Sequence, residues 1–313
     1  MPLDHASQQL IAAFIEAGRP PLWEGTPKEA RDGHAAMGPM SGPGPEVHDV
    51  REEKIATYDG DEIRLKILTP SAQPRGIVLF IHGGGFVIGD IDHQYDAVGR
   101  DLANRTDCTV VLVNYRKAPE HPFPAAVEDS WSALEWVDQH RSELAADGAP
   151  MLVMGDSAGG NLSAVMTHRA HDRGAPQIDG QVLIYPATDN NFDRPEYSAP
   201  ENQLLLSMPV MEWFYGHYLP DDGDRGNVEA APLHRPDFTG LPPAYVLVAE
   251  FDPLRAEGED YASALRDAGV PVETYLAEGQ MHIFFQMYNV LPGYEDGMSR
   301  AADWINRSLS DTP

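Results

Sequence analysis

The stretch Met151-Leu152-Val153-Met154-Gly155-Asp156-Ser157-Ala158-Gly159-Gly160 decides how this chain is read. Four apolar residues of strand character run into a Gly-x-Ser-x-Gly turn, and a helical pattern follows over residues 161–173. A serine hydroxyl is a weak nucleophile unless a sharp turn holds it clear of the sheet beside a base. Gly155 and Gly159 are small enough to let strand and helix approach for such a turn. The spacing alone recurs by chance. Its place between a strand and a helix is what makes Ser157 a candidate nucleophile for acyl transfer.

Upstream, the apolar run at 77–81 ends in His82-Gly83-Gly84-Gly85-Phe86. Consecutive glycines let backbone N–H groups face a developing oxyanion with no side chains in the way. A phosphate-binding loop is the competing reading of a glycine turn after a strand. Neither the G-x-x-x-x-G-K-[ST] nor the G-x-G-x-x-G pattern accompanies it.

Downstream, a base and an acid are expected in the order Ser, Asp/Glu, His. His282 alone among the 12 histidines lies beyond His234, and it follows the strand-like run 272–276, at the carboxyl end where α/β sheets place their sites. Glu250, Asp252 and Glu257 are the candidate acids after the run 245–249. Asp252, before Pro253, is best placed, because Glu250 continues the strand and Glu257 falls in the following helix. Asp252 would orient the His282 imidazole and stabilise its cation.

The remaining chain reads as α/β. Alternating Ile63, Leu65 and Ile67 after the Asp59-Gly60 turn predict an edge hairpin. Continuous apolar runs at 77–81, 110–113, 152–154, 182–185 and 245–249 predict strands buried on both faces. Helical patterns at 95–105, 125–140, 161–173 and 257–268 supply the crossovers that parallel strands need, with a last helix at 303–309. About eight strands result, in a mostly parallel central sheet flanked by helices.

Four segments follow: an arm over 1–46 with an amphipathic piece around Leu10, Ile11, Phe14 and Ile15; core residues 47–186; an insertion over 187–231; and core residues 232–313. The insertion is broken by Pro195, Pro200, Pro209 and Pro220 and carries Trp213, Phe214, Tyr215 and Tyr218. It is expected above the strand ends, its aromatics either contacting substrate or filling a small core of their own.

Lys plus Arg number 22 against 49 Asp plus Glu in 313 residues, a net charge of −27 that repels phosphate backbones and anionic lipid heads. No nucleic-acid partner and no stable membrane association are expected. The single cysteine, Cys108, excludes an internal disulfide and fits a reducing compartment. No signal-like N-terminus and no long apolar span are present, so a cytoplasmic location is expected, with a homodimer left open. His168 and His171 share a helix face but lack a third ligand, so no metal is expected.

Taken together, His82-Gly83-Gly84-Gly85, the segment from Tyr115-Arg116-Lys117-Ala118-Pro119-Glu120-His121-Pro122 to Ala126, Gly155 to Gly160, and Asp252-Pro253-Leu254-Arg255 resemble the bacterial hormone-sensitive lipase family of carboxylesterases. The resemblance implies an α/β-hydrolase fold with a helical cap made by the arm and the 187–231 insertion. It implies hydrolysis of short- to medium-chain carboxylic esters, small-molecule substrates, without a cofactor. It implies Ser157 as nucleophile, His282 as base, Asp252 as acid, and the N–H groups of Gly84, Gly85 and Ala158 as the oxyanion hole.

Phe86, Trp213, Phe214, Ile283 and Phe285 are the expected pocket residues. Two positions depart from the family pattern: Ala256 stands where many relatives carry a second acid, and Ile283 where they carry glycine. Ile283 would narrow the pocket or stiffen its loop. An amidase or other acyl hydrolase on the same three residues is the nearest alternative, and a ligand-binding module on this fold the more distant one.

Overall fold

The computed structural model describes residues 2–18 and 20–310. The N-terminal arm forms α1 (His5–Glu16), α2 (Pro27–Ala35) and α3 (Gly38–Ser41). There follow β1 (Asp49–Ala56), β2 (Glu62–Thr69), β3 (Gly76–Ile81), α4 (Gln94–Thr106), β4 (Cys108–Asn114), α5 (Ala125–Gln139) and α6 (Arg141–Leu144). Then come β5 (Met151–Asp156), α7 (Ala158–Arg173), β6 (Gly180–Ile184), α8 (Pro195–Ser198) and α9 (Met208–Tyr218). The chain continues through β7 (Ala244–Phe251), α10 (Arg255–Asp267), β8 (Val272–Met281) and α11 (Gly293–Ser310).

The strands form one sheet in the order β1-β2-β4-β3-β5-β6-β7-β8. β2 runs antiparallel to both its neighbours, and every pairing from β4 to β8 is parallel. The strands that read as unbroken apolar runs are covered on both sides. Ile77, Leu79 and Ile81 of β3 face α5 and α7, while Val78 and Phe80 face α4 and α11. The same alternation continues in β5, with Met151 and Val153 on one side and Leu152 and Met154 on the other. α10 extends the first helical layer through Tyr261 and Leu265 against Val246 and Val248. This double cover is why helix-connected parallel strands carry no polar alternation.

The predicted strands and crossover helices are therefore present, with differences in extent and one added helix. β8 runs on to Met281 rather than stopping at 276, α11 begins at Gly293 rather than 303, and α2 was not anticipated. Cys108 is buried at the start of β4. No helix among the described residues is long and apolar enough to cross a membrane.

Because β3, β5, β7 and β8 are parallel, their carboxyl ends lie along one edge, and each hands the chain to one of the sequence motifs. β7 and β8 pair in register up to Ala249↔Ala277, and then shift so that Phe251 faces Met281. The irregularity takes up two extra residues of β8 around Gly279, whose φ is +72°. Its effect is to bring the next residue of each strand, Asp252 and His282, side by side.

Candidate active site

Ser157 occupies the turn between β5 and α7 with φ 55° and ψ −120°, a conformation that non-glycine residues adopt only where the surroundings force it. Its N–H donates to the Ile184 carbonyl at 2.9 Å, and its own carbonyl accepts from Ala187 N at 3.1 Å, so the strained turn is fixed to the end of β6 and to the segment just after it. A Cβ at Gly155 would run into the Gly159 backbone, and one at Gly159 into the Ile81 carbonyl. Only glycine at both positions lets α7 start this close to β3 and β5.

His282 Nε2 lies 3.0 Å from Ser157 Oγ, and His282 Nδ1 lies 2.7 Å from Asp252 Oδ2. Asp252 is fully buried and His282 nearly so. The other Asp252 oxygen accepts from Leu254 N at 2.9 Å, which fixes the carboxylate in place. The Tyr185 ring stacks obliquely on the imidazole, with centroids 4.4 Å apart. The three residues that sequence order singled out are thus brought into one hydrogen-bonded chain across 125 residues of sequence.

The competing acids lie elsewhere. Glu250, still within β7, accepts from Gly279 N, and Glu257 sits inside α10. Glu257 is fully buried, and it accepts from Thr188 N at 2.8 Å, Asp189 N at 3.3 Å and Tyr197 OH at 2.7 Å. Burial pushes its carboxyl up to about 8. It ties the root of the 187–231 segment to α10 and does not touch His282.

The glycine loop after β3 is held from the elbow itself. Gly83 N donates to Asp156 Oδ1 at 2.9 Å and to Tyr95 OH at 3.0 Å, and Tyr95 OH donates to Asp156 Oδ2 at 2.9 Å. Asp156 thereby ties the elbow to the backbone of the glycine loop. Gly84 and Gly85 have φ of +123° and +57°, and among the described residues their N–H groups have no protein acceptor. Ala158 opens α7, so its N–H is one of the four at a helix start that lack an intrahelical partner. Three donors are left free around the serine.

A small cavity adjoins Ser157. Its walls are Gly85, Phe86, Ala158, Ala187, Leu206, Met211, Phe214 and Tyr215. Of the expected pocket residues, Phe86 and Phe214 line this space. Trp213, Ile283 and Phe285 are not part of this wall. Trp213 points from the other side of α9 toward His217, and Phe285 is buried against Tyr294. Ile283, at φ +75°, packs into the cluster on the α4 and α11 side. Tyr215, one of the insertion's aromatics, lies on this wall, whereas Leu206 and Met211 were not anticipated.

A serine carried on a strand-to-helix turn of a mostly parallel sheet, with histidine and acid supplied by later strand ends, is the arrangement of the α/β-hydrolase class. Residues 78–286 match a protein-family model described as alpha/beta hydrolase fold. The chain is 37% identical over 265 residues to carboxylesterase NlhH of Mycobacterium tuberculosis, covering 82% of each chain. It is 32% identical over 287 residues to an arylesterase of Saccharolobus solfataricus, covering 91% of this chain and 92% of the relative. Among solved structures, the ester-hydrolase EH1AB1 from the metagenome of Lake Arreo superposes with a TM-score of 0.92 at 35% identity, over 98% of this chain and 99% of that one. The chain belongs to the bacterial hormone-sensitive lipase family of α/β hydrolases.

Proposed function

We propose that this carboxylesterase hydrolyses short- to medium-chain carboxylic esters through an acyl-enzyme formed on Ser157. The observation that carries the reading is the continuous chain Ser157 Oγ, His282 Nε2, His282 Nδ1, Asp252 Oδ2, at 3.0 and 2.7 Å, beside three unpartnered N–H groups. His282 takes the hydroxyl proton as Ser157 attacks the ester carbonyl, and the oxyanion is met by the N–H groups of Gly84, Gly85 and Ala158. The imidazolium then protonates the leaving alcohol, and water activated by the same histidine releases the acid. Asp252 holds Nδ1 protonated and the ring oriented, keeping its own negative charge.

The apolar wall of Phe86, Leu206, Met211, Phe214 and Tyr215 supports a small acyl group as the preferred substrate. The arm over 1–46 and the insertion over 187–231 act as a cap in this reading, since the insertion contributes most of that wall.

Ser157→Ala and His282→Ala are each expected to lower kcat on aryl acetates by roughly 10⁴-fold or more, with the double variant little worse than either alone. The assay needs no added metal, and chelators should leave it unchanged. If the two losses multiplied, Ser157 and His282 would not be working as partners.

A further inference from the structure

The N-terminal arm reaches the reaction centre from behind. Helix α2 starts with a reciprocal cap: Thr26 Oγ1 accepts Glu29 N at 3.2 Å, and Glu29 Oε2 accepts Thr26 N at 2.8 Å, with Pro27 at the first helical position. That cap fixes the helix's register and with it the direction of Arg31 one turn on. The Arg31 guanidinium donates from Nε to the Val87 carbonyl at 2.8 Å and from Nη2 to the Ala118 carbonyl at 2.7 Å. Its outer edge meets Glu120, with Nη1 to Oε1 at 3.0 Å and Nη2 to Oε2 at 2.5 Å.

The two carbonyls belong to separate segments that meet at Phe86. Val87 follows Phe86, a non-glycine residue at φ +63°, and the Phe86 carbonyl accepts Ala118 N at 3.0 Å. A non-glycine residue held in the left-handed region relaxes unless its neighbours hold it. Gly84 and Gly85, with their free N–H groups, lie immediately upstream. At the other end of α2, His34 is buried against the side chain of Gln286, in the turn that follows His282. A helix outside the sheet thus leans on both the glycine loop and the histidine loop.

We propose that Arg31 is a positioning residue for ester hydrolysis. By clamping the Val87 and Ala118 carbonyls it holds the loop that carries Gly84 and Gly85, so that their N–H groups stand where the oxyanion develops. The inference rests on those two groups being oxyanion donors, as in the proposed mechanism. A planar fork satisfies two carbonyls and a carboxylate at once, which a lysine ammonium on a flexible stem does not reproduce.

Donors aimed at the transition state act on kcat, whereas apolar walls act on both states of the substrate. Arg31→Ala, normalised by active-site titration, should lower kcat on an aryl acetate about 10- to 100-fold, short of the loss expected from deleting an oxyanion donor outright. KM should stay within about threefold. Affinity for a trifluoromethyl ketone, whose tetrahedral adduct places an oxyanion in the same position, should fall in step with kcat. Added guanidinium ion at low millimolar concentration should restore part of the rate. Glu120→Gln, which spares both carbonyl contacts, should have a much smaller effect.

Should the alanine variant not fold by circular dichroism, Arg31→Lys carries the same comparison, because it keeps a cation near Glu120 but loses the fork. A titrated Arg31 variant with unchanged kcat, or one whose loss lies in KM while ketone affinity is retained, overturns the inference. A wild-type enzyme inactive on every ester would instead overturn the proposed function, so the two failures are distinguishable.

Discussion

Asp156 shows how much one side chain beside the nucleophile has to reconcile. Its two oxygens join the elbow to the glycine loop through Gly83 N and Tyr95 OH, yet it is buried, and desolvation pushes its carboxyl up to about 6 despite those donors. The native state therefore holds this proton more tightly than the unfolded chain, whose aspartate titrates near the ordinary 3.8. Stability is lost as pH rises from about 4 through about 6, by roughly 3 kcal/mol, and the cost is fully present above that window.

Asp156→Asn cannot ionise. Its amide can still accept Gly83 N and donate to the Tyr95 oxygen. Thermal melts should show the variant several degrees more stable than wild type near pH 8, with the difference shrinking to almost nothing near pH 4. A gap of equal size at both ends of the range would mean that ionisation is not its cause.

Among the elements, α9 supplies Met211, Phe214 and Tyr215 to the wall beside Ser157. Met211, Phe214, Tyr215 and Tyr218 follow at helical spacing and are buried, while Trp213 lies between them on a more open side. Phe214 packs directly over Gly85, and a Cβ at Gly85 would collide with its ring. Phe214→Ala should therefore raise the kcat/KM ratio of long-chain to short-chain esters by about tenfold or more, since each methylene newly enclosed is worth roughly 0.8 kcal/mol. Trp213→Ala should leave that ratio within about twofold. A similar rise in both variants would show general loosening of the segment instead of a local wall.

The same helix shows where sequence reading reached and where it stopped. The sequence marked its aromatics without separating Phe214 from Trp213, since both were expected in the pocket. It did not show which face would lie over Ser157, because that depends on how a proline-broken segment returns to the sheet. The core strands were legible because burial on both faces leaves an unmistakable apolar run. β8 was cut short in the reading because its outer half, Glu278-Gly279-Gln280, looks like a loop and is held as strand by the shifted pairing with β7. The start of α11 was hidden by Gly293 and Gly297, although Met298, Ala301, Ala302 and Ile305 mark a buried helical face. α2 carried a readable signal in Thr26-Pro27-Lys28-Glu29. Ser157, Asp252 and His282 were found by chain order and strand ends, whereas nothing local in the sequence joins Arg31 to Val87 and Ala118.

At the scale of the molecule, charge is the dominant departure from the ordinary. The chain has 4 lysines and 18 arginines against 49 acidic residues, and many of the arginines are committed to ion pairs, such as Arg116 with Asp129 and Arg169 with Glu128 and Glu229. The remaining acidic groups repel one another across a surface that salt screens over about 10 Å at 0.1 M. The thermal midpoint should therefore rise as sodium chloride is increased from about 0.01 M toward 1 M, with activity per active site changing much less. A midpoint that falls over that range would show that the specific ion pairs outweigh the general repulsion.

His282 begins where β8 ends, and β8 borders the sheet with only one neighbour to hold it. The base is thus moored to the rim of the architecture, while the nucleophile is anchored near its middle on β5. Fraying of a single border strand would carry the imidazole away from Ser157 with the interior strands and both helical layers still standing. Loss of turnover under mild heat or denaturant would then be a peripheral, recoverable event, and the catalyst would fall silent well before the scaffold comes apart.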